Sequence, residues 1–248
     1  MGILNVTPDS FADGGRHNEF EAAVARGIEM IAEGVDIIDV GGESTRPGAE
    51  RVSEEEEIAR TIPVITELAK HRATISIDTM RASTAEAAIK AGASIINDVS
   101  GGLADDVMLQ TAARLQVPYI AMHWRGQSKD MNSKAIYSDV VNDVIAELNE
   151  RIDAALDAGI NKDKLIIDPG IGFAKDAEHN WAIIDAIDRF VELGYPVLVG
   201  ASRKRFLGGD TPDEREQATI DLTKRLGTTG VWAVRVHSVK PHKEVLSS

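Results

Sequence analysis

Eight short apolar runs recur along the chain, at residues 2–5, 35–39, 74–78, 94–98, 118–123, 165–168, 196–200 and 231–237. They close on Asn5, Asp39, Asp78, Asp98, His123, Asp168, Gly200 and His237. The average spacing of about 33 residues is close to the roughly 30 residues of a strand–helix–strand unit. Most runs are rich in Val and Ile, the pattern of parallel strands buried on both faces.

The intervening segments read as helices. Ser53 ahead of Glu54, Glu55 and Glu56 has the form of a capping box, with acidic residues complementing the helix N-terminus. Val140, Val141, Val144, Ile145, Leu148, Ile152 and Leu156 trace one apolar stripe at helical spacing. Gly34, Gly92, Gly159 and Gly194 each stand between a helical pattern and the next strand, where a left-handed cap is wanted. Pro63 predicts a kink in the second helix. An open nucleotide-binding sheet would carry GxGxxG or a P-loop after its first strand, and neither motif is present. The expected fold is therefore α/β, a single (β/α)8 TIM barrel forming one domain over residues 1–248.

Composition narrows the class of function. Lys and Arg total 27 against 40 Asp and Glu, a net charge of −13, and the chain has 11 aromatic residues. An acidic surface with few stacking groups disfavours nucleic acid as a partner. With no cysteine, disulfides, thiolate nucleophiles and thiolate zinc sites are excluded. No apolar run approaches the roughly 18 residues of a membrane span, and the N-terminus lacks a signal-peptide pattern. The expectation is a cytoplasmic enzyme or binding barrel with no membrane partner.

In barrels of this kind the active site lies at the C-terminal ends of the strands, so the closing residues should converge. Residues two apart in a strand share a face. Ser76 pairs with Asp78, Ile166 with Asp168 and Arg235 with His237, whereas of adjacent Asn97 and Asp98 only one can face inward. Asp78, Asp168 and one of that pair would make a carboxylate–amide cluster. Such a group could hold a metal, serve as acid and base, or accept hydrogen bonds from a planar, donor-rich heterocycle. Positive groups sit elsewhere: Arg203, Lys204 and Arg205 after the seventh strand, Arg235 and His237 at the eighth. The loops there are the usual phosphate site of the fold, so a focused anion pocket is expected.

Residues 7–15 and 41–48 are glycine-bearing loops at the same mouth, suited to closing over a ligand. Phe11 in the first is an aromatic residue in a polar loop, which implies something to cover. No HExxH occurs, so a histidine-rich metallohydrolase is disfavoured. Lys175 and Lys204 lie outside the apolar strand runs, which disfavours a Schiff base. His17, His71, His179 and His242 read as surface residues, and Trp124, Trp181 and Trp232 as packing.

Residues 1–11 (MGILNVTPDSF), 39–48 (DVGGESTRPG), 76–79 (SIDT), 96–102 (INDVSGG), 168–173 (DPGIGF), 202–204 (SRK) and 235–237 (RVH) strongly resemble the dihydropteroate synthase family, in order and with unit spacing. The stretch 122–125 (MHWR) is similar to its actinobacterial branch. The resemblance implies a barrel that joins 6-hydroxymethyl-7,8-dihydropterin pyrophosphate to 4-aminobenzoate in folate synthesis, with Mg2+ as cofactor. It also implies that Asp78, Asn97, Met122 and Asp168 bind the pterin, with Lys204 reaching the ring. Asn5, Arg235 and His237 would hold the pyrophosphate, Asn5 also touching Mg2+. Thr45, Arg46, Pro47, Phe173 and Arg205 would surround the aminobenzoate, under a loop carrying Asp9, Phe11 and Asp13. Asp9, Asp13, Lys204, Arg235 and His237 form the implied catalytic set, and a homodimer is the implied assembly.

Against that pattern, Ser238 stands where relatives usually carry Asp, and Arg205 where many carry Ser. The chain opens directly at its first strand, so a barrel with a trimmed N-terminal segment is expected, and residues 240–248 leave only a short last helix. Two other readings compete: a non-catalytic pterin-binding paralogue and a pterin-dependent methyltransferase. The intact set of Asn5, Asp9, Asp13, Lys204, Arg235 and His237 argues against the paralogue, and a methyltransferase would share the floor carboxylates but has no use for the Arg235 and His237 pair.

Overall fold

A computed structural model describes residues 1–7, 15–44, 51–127 and 131–247, the side chains of 15–17 and 131–132 excepted. Six parallel strands follow one another in a sheet: β1 (Gly2–Asn5), β2 (Ile38–Gly41), β3 (Ile75–Asp78), β4 (Ile95–Asp98), β5 (Tyr119–Met122) and β6 (Leu165–Asp168). A second sheet pairs β7 (Leu198–Val199) with β8 (Ala233–Val234). Its two edges bond to those of the first. Ile167 bridges Val197, and Gly2 bridges Val236 with the Ile3 amide donating to the Val236 carbonyl at 2.8 Å. Hydrogen bonds thus link the strands in the order 1 to 8 and back to 1, the (β/α)8 arrangement that the spacing predicts. The second strand begins at Ile38 and runs to Gly41, so Asp39 lies within it instead of closing it.

The two faces of these strands bury different sets. Ile38, Val40, Ile75, Ile77, Ile96, Tyr119, Leu165 and Ile167 join one large core with the helices outside. Met1, Ile37, Ile95, Ile120, Ile166 and Leu198 form a separate cluster inside the barrel. Two positions further along each strand, the alternation brings Asp39, Asn97, Met122, Asp168 and Gly200 to the same inner side. An apolar plug therefore carries a polar layer above it.

Among the described residues the helices are α1 (Gly15–Ala32), α2 (Glu54–Ala69), α3 (Ala82–Ala91), α4 (Met108–Leu115), α5 (Val140–Asp157), α6 (Ala177–Asp185), α7 (Ile187–Val191), α8 (Glu216–Leu226) and α9 (Lys240–Leu246). Ser53 caps α2, its hydroxyl accepting from the Glu56 amide at 3.2 Å, and the helix continues through Pro63. The stripe on α5 faces the core, with Val140, Val141, Val144, Leu148 and Ile152 buried. Gly34, Gly92, Gly159 and Gly194 all take positive φ, between 79° and 118°. No described helix is long and apolar enough to cross a membrane.

His242 corrects one expectation. It is buried, its Nδ1 lying 2.8 Å from the Thr223 hydroxyl, because α9 packs that face on α8. His71 is exposed and His179 is half-buried in the cap of α6. His17 lies outside the described side chains. Trp181 meets Phe206 edge to face, with ring centroids 5.4 Å apart.

Candidate active site

The polar layer is organised around one guanidinium. Arg235, just past β8, donates from Nε to Asp39 Oδ2 at 2.6 Å and from Nη2 to Asp78 Oδ2 at 2.7 Å. Asn97 donates from Nδ2 to the same Asp39 oxygen at 3.0 Å. Asp39 is wholly buried, and its Oδ1 has no hydrogen-bond partner. Burial pushes the Asp78 carboxyl above the usual carboxylate range, Arg235 pulls it down, and Asp39 pushes it further up. Burial acts to lower the Arg235 pKa, but Asp39 and Asp78 outweigh it and keep the guanidinium charged. Two carboxylates share one fixed positive charge, which leaves acceptor capacity facing the barrel mouth.

Asn97 and Asp98 divide as alternation requires. Asp98 faces away from the layer and accepts from the Ser100 amide at 2.8 Å, the Ser100 hydroxyl at 2.6 Å, the Gly102 amide at 2.8 Å and the Tyr119 hydroxyl at 2.7 Å. It is the cap of the turn after β4. Asn97 is the pterin-side candidate of the pair.

Asp168 ends β6, paired in register with Met122 of β5. Its Oδ1 accepts from the Gly170 amide at 2.7 Å. A Cβ at Gly200 would lie 3.9 Å from Asp168 Oδ2 and 3.8 Å from Arg235 Cβ, so the missing side chain keeps the space between them open. Burial raises the Asp168 carboxyl pKa, against the Gly170 amide and the Lys204, Arg235 and Lys175 charges. Lys204 crosses Gly172, donates to the Ile171 carbonyl and stands 4.7 Å from the centre of the Phe173 ring. Burial lowers its pKa to about 8, with Asp168 acting the other way. Met122 packs with Met80 and Val99, flanked by Trp124 and Phe173.

The remaining predicted cations do not all converge. His237 Nδ1 lies 3.0 Å from the Ser202 hydroxyl. Arg203 instead donates to Glu216 of α8 at 2.6 Å and to Ser238 Oγ at 2.7 Å. Its charge is already neutralised there, so it leaves the expected anion pocket, and Ser238 gains a defined partner. Arg205 opens a short 3-10 turn and is exposed. Asn5 ends β1 opposite Gly41. Asp9, Phe11, Asp13, Thr45, Arg46 and Pro47 lie outside the described residues.

The sequence marks Asp39 only as the residue closing the second apolar run and Ser202 only as part of the stretch 202–204, with no role of its own in the site for either. Asp39 had a usable signal, a charge two residues before Gly41 in an otherwise apolar run. Ser202 had none beyond its proximity to Lys204. Buried Lys175 and His123 form a further polar group with half-buried Glu147 beside β6, with 2.9 Å from Lys175 Nζ to His123 Nδ1 and 2.9 Å from His123 Nε2 to Glu147 Oε2.

Among the described residues no group of three His, Asp or Glu side chains could hold a metal unaided. The amide oxygen of Asn5 is a hard donor of the kind that adds to a Mg2+ already carried by phosphate oxygens and water. The donor set thus fits an ion arriving with a phosphorylated ligand.

A (β/α)8 barrel with an acceptor-rich floor and two half-buried cations, Lys204 after strand 7 and Arg235 after strand 8, defines a class suited to a donor-rich heterocycle. Residues 1–237 match the family described as pterin binding enzyme, and the chain belongs to that family. It is 47% identical over 256 residues to dihydropteroate synthase of Mycobacterium leprae, covering 99% of this chain and 90% of the relative. The Xanthomonas albilineans dihydropteroate synthase structure with 4-aminobenzoic acid superposes at a TM-score of 0.94, with 44% identity, 100% of this chain and 90% of that one. Another structure of the Xanthomonas albilineans enzyme, in complex with 7,8-dihydropteroate, gives 0.90 and 40% identity, with the same coverage of 100% and 90%. Within its family the chain is a transferase of the dihydropteroate synthase type.

Proposed function

We propose that the chain condenses 6-hydroxymethyl-7,8-dihydropterin pyrophosphate with 4-aminobenzoate, giving 7,8-dihydropteroate and pyrophosphate for tetrahydrofolate biosynthesis. The observation that carries this reading is the Arg235 fork on Asp39 and Asp78, with Asn97 and Asp168 at neighbouring strand ends. Asp78, Asn97 and Asp168 accept the amino and ring N–H groups of the pterin, with Met122 against the ring. Lys204, already poised over Phe173, reaches the same ring from the mouth.

Arg235, with His237 beside Ser202 and the amide of Asn5, receives the pyrophosphate. Bound Mg2+, held by Asn5 and the phosphate oxygens, would supply further neutralisation of the leaving group. The C–O bond to the pyrophosphate breaks first, as in an SN1 reaction, and its electron pair leaves with the pyrophosphate. The buried carboxylates of Asp78 and Asp168 stabilise the positive charge left on the pterin methylene. The amine of 4-aminobenzoate then forms the new C–N bond and loses a proton. Phe173 and Arg205 flank that second substrate. No covalent enzyme intermediate is needed. The reading includes a cytoplasmic homodimer, which light scattering of the purified protein tests.

Pyrophosphate release with both substrates, with and without Mg2+, is the direct test. Release that requires the pterin and rises with Mg2+ supports the reading, and pyrophosphate freed before 4-aminobenzoate is added supports the dissociative order. No release under any condition leaves a pterin-binding barrel without this activity. Lys204→Ala should weaken both substrates, and full activity in that variant contradicts its role.

A further inference from the structure

The turn that follows β6 carries three parts of the proposed site: Asp168 before it, the Ile171 carbonyl that takes Lys204, and Phe173. A loop at the barrel mouth needs its backbone groups satisfied to hold such a set in place. Lys175, which no role above uses, does this at carbonyls other than the one that Lys204 takes. Its Nζ lies 3.0 Å from the Gly170 carbonyl, 3.0 Å from the Phe173 carbonyl and 2.9 Å from His123 Nδ1. An ammonium has three N–H donors, and here three acceptors meet it. We propose that Lys175 is a positioning residue for pterin turnover, holding the turn of residues 170–173 so that Asp168, Phe173 and Lys204 stay aimed at the substrate.

The chemistry behind Lys175 runs in one direction. With Nδ1 of His123 accepting, the neutral ring carries its proton on Nε2, which donates to Glu147 Oε2 at 2.9 Å. Glu147 on α5 also accepts from Arg125 Nε at 3.0 Å, and the Arg125 guanidinium lies 3.8 Å over the Tyr137 ring. Tyr137 donates to the Ala174 carbonyl at 3.0 Å, next to Lys175. The backbone closes the same circuit: the His123 amide donates to the Asp168 carbonyl at 2.8 Å. Gly170 fits beneath at φ 70°, where a Cβ would fall 2.4 Å from the His123 carbonyl oxygen. Burial and the Lys175 charge hold the His123 pKa down at about 4, which keeps the ring an acceptor for the lysine.

A nucleophilic role for Lys175 fits less well. A Schiff-base lysine presents a neutral amine to a carbonyl substrate, whereas all three donors of Lys175 are spent on the turn and on His123. Burial lowers its pKa to about 7, with the Asp168 charge acting the other way. The effect on chemistry is through the turn alone.

This inference rests on the proposed synthase reaction, and the experiment separates the two. Wild-type protein must first release pyrophosphate; if it does not, the functional reading fails and Lys175 is not at issue. With active wild type, Lys175→Ala should lower kcat/KM for the pterin pyrophosphate by about 100-fold, the scale of a misplacement near 1 Å. Methylammonium should restore part of the loss, while tetramethylammonium, which has no N–H donor, should not. Unchanged kcat/KM, or equal rescue by both ions, overturns the proposal. If Lys175→Ala does not fold, nitrogen-15 NMR of His123 in the wild type decides. The neutral Nε2–H tautomer at neutral pH is expected, and an Nδ1–H tautomer or an imidazolium overturns it.

Discussion

The guanidinium of Arg235 lies 2.7 Å from the Asp78 carboxylate, tying the end of the eighth strand to the end of the third inside the barrel. Asp39 takes the same guanidinium at 2.6 Å. Arg235→Met would strand two buried carboxylates, and stability should fall by about 3–5 kcal/mol, the usual cost of breaking a buried pair. The sign with pH follows from the raised Asp78 pKa. Its protonated form is favoured by the fold, so that contribution is complete below the unfolded value of 3.8 and is lost as pH rises through the folded one. The deficit of the variant against wild type should therefore shrink on acidification, as measured by urea unfolding across pH. A deficit that grows in acid would contradict the assignment.

Asp168→Asn tests the floor without breaking the fold. An asparagine oxygen can still accept the Gly170 amide that Asp168 takes at 2.7 Å. The charge is what disappears. A hydrogen bond to a charged group contributes about 1.5–3 kcal/mol, so calorimetry should find the pterin pyrophosphate bound roughly 10- to 100-fold more weakly. Wild-type affinity with an unchanged melting temperature would remove Asp168 from the site.

His123 makes stability depend on pH in the opposite sense to Asp78. Its folded pKa of about 4 lies below the ordinary 6.5, so the contribution is complete above 6.5 and is lost as pH falls through 4. That window corresponds to about 3 kcal/mol. Melting of His123→Gln should be less sensitive to pH between those values than melting of wild type. Parallel curves for the two proteins would show that His123 is protonated in the fold.

Arg81, just after β3, ties the segment after β2 to α2. It donates to Glu43 at 3.0 Å and to Glu57, a buried side chain of α2 that also accepts from Thr84 at 3.3 Å. Arg81→Met should cost about 3 kcal/mol by leaving Glu57 unpaired, while Glu57→Gln in the Arg81→Met background should restore part of it. Additive losses in this double-mutant cycle would show that the pair is not coupled.

The barrel was legible because its signal is repetitive: eight apolar runs, helical stripes and four glycine caps all point to one period. The inward choice of Asn97 over Asp98 was legible only as an alternative, since alternation says that adjacent residues part but not which way each goes. Asp39 was hidden by a strand boundary. Reading residues 35–39 as the second strand puts Asp39 at its mouth end, whereas the strand starts at Ile38 and sets the carboxylate one layer deeper. Arg203 and His242 were misjudged for a different reason. Their partners, Glu216 and Thr223, lie on α8, 13 and 19 residues away in the chain, and no local periodicity announces a side-chain contact across an intervening loop or strand.

The back-to-back assignment of Asn97 and Asp98 has a consequence for how this enzyme can vary. One residue faces the polar layer inside the barrel and its neighbour serves the scaffold, so the fourth strand has no slack in its phase. Inserting or deleting a single residue upstream of them within β4 would hand the amide's task to the carboxylate and the carboxylate's task to the amide. Length variation in this barrel is therefore confined to its connecting segments, and drift at those two positions can only proceed by substitution in place.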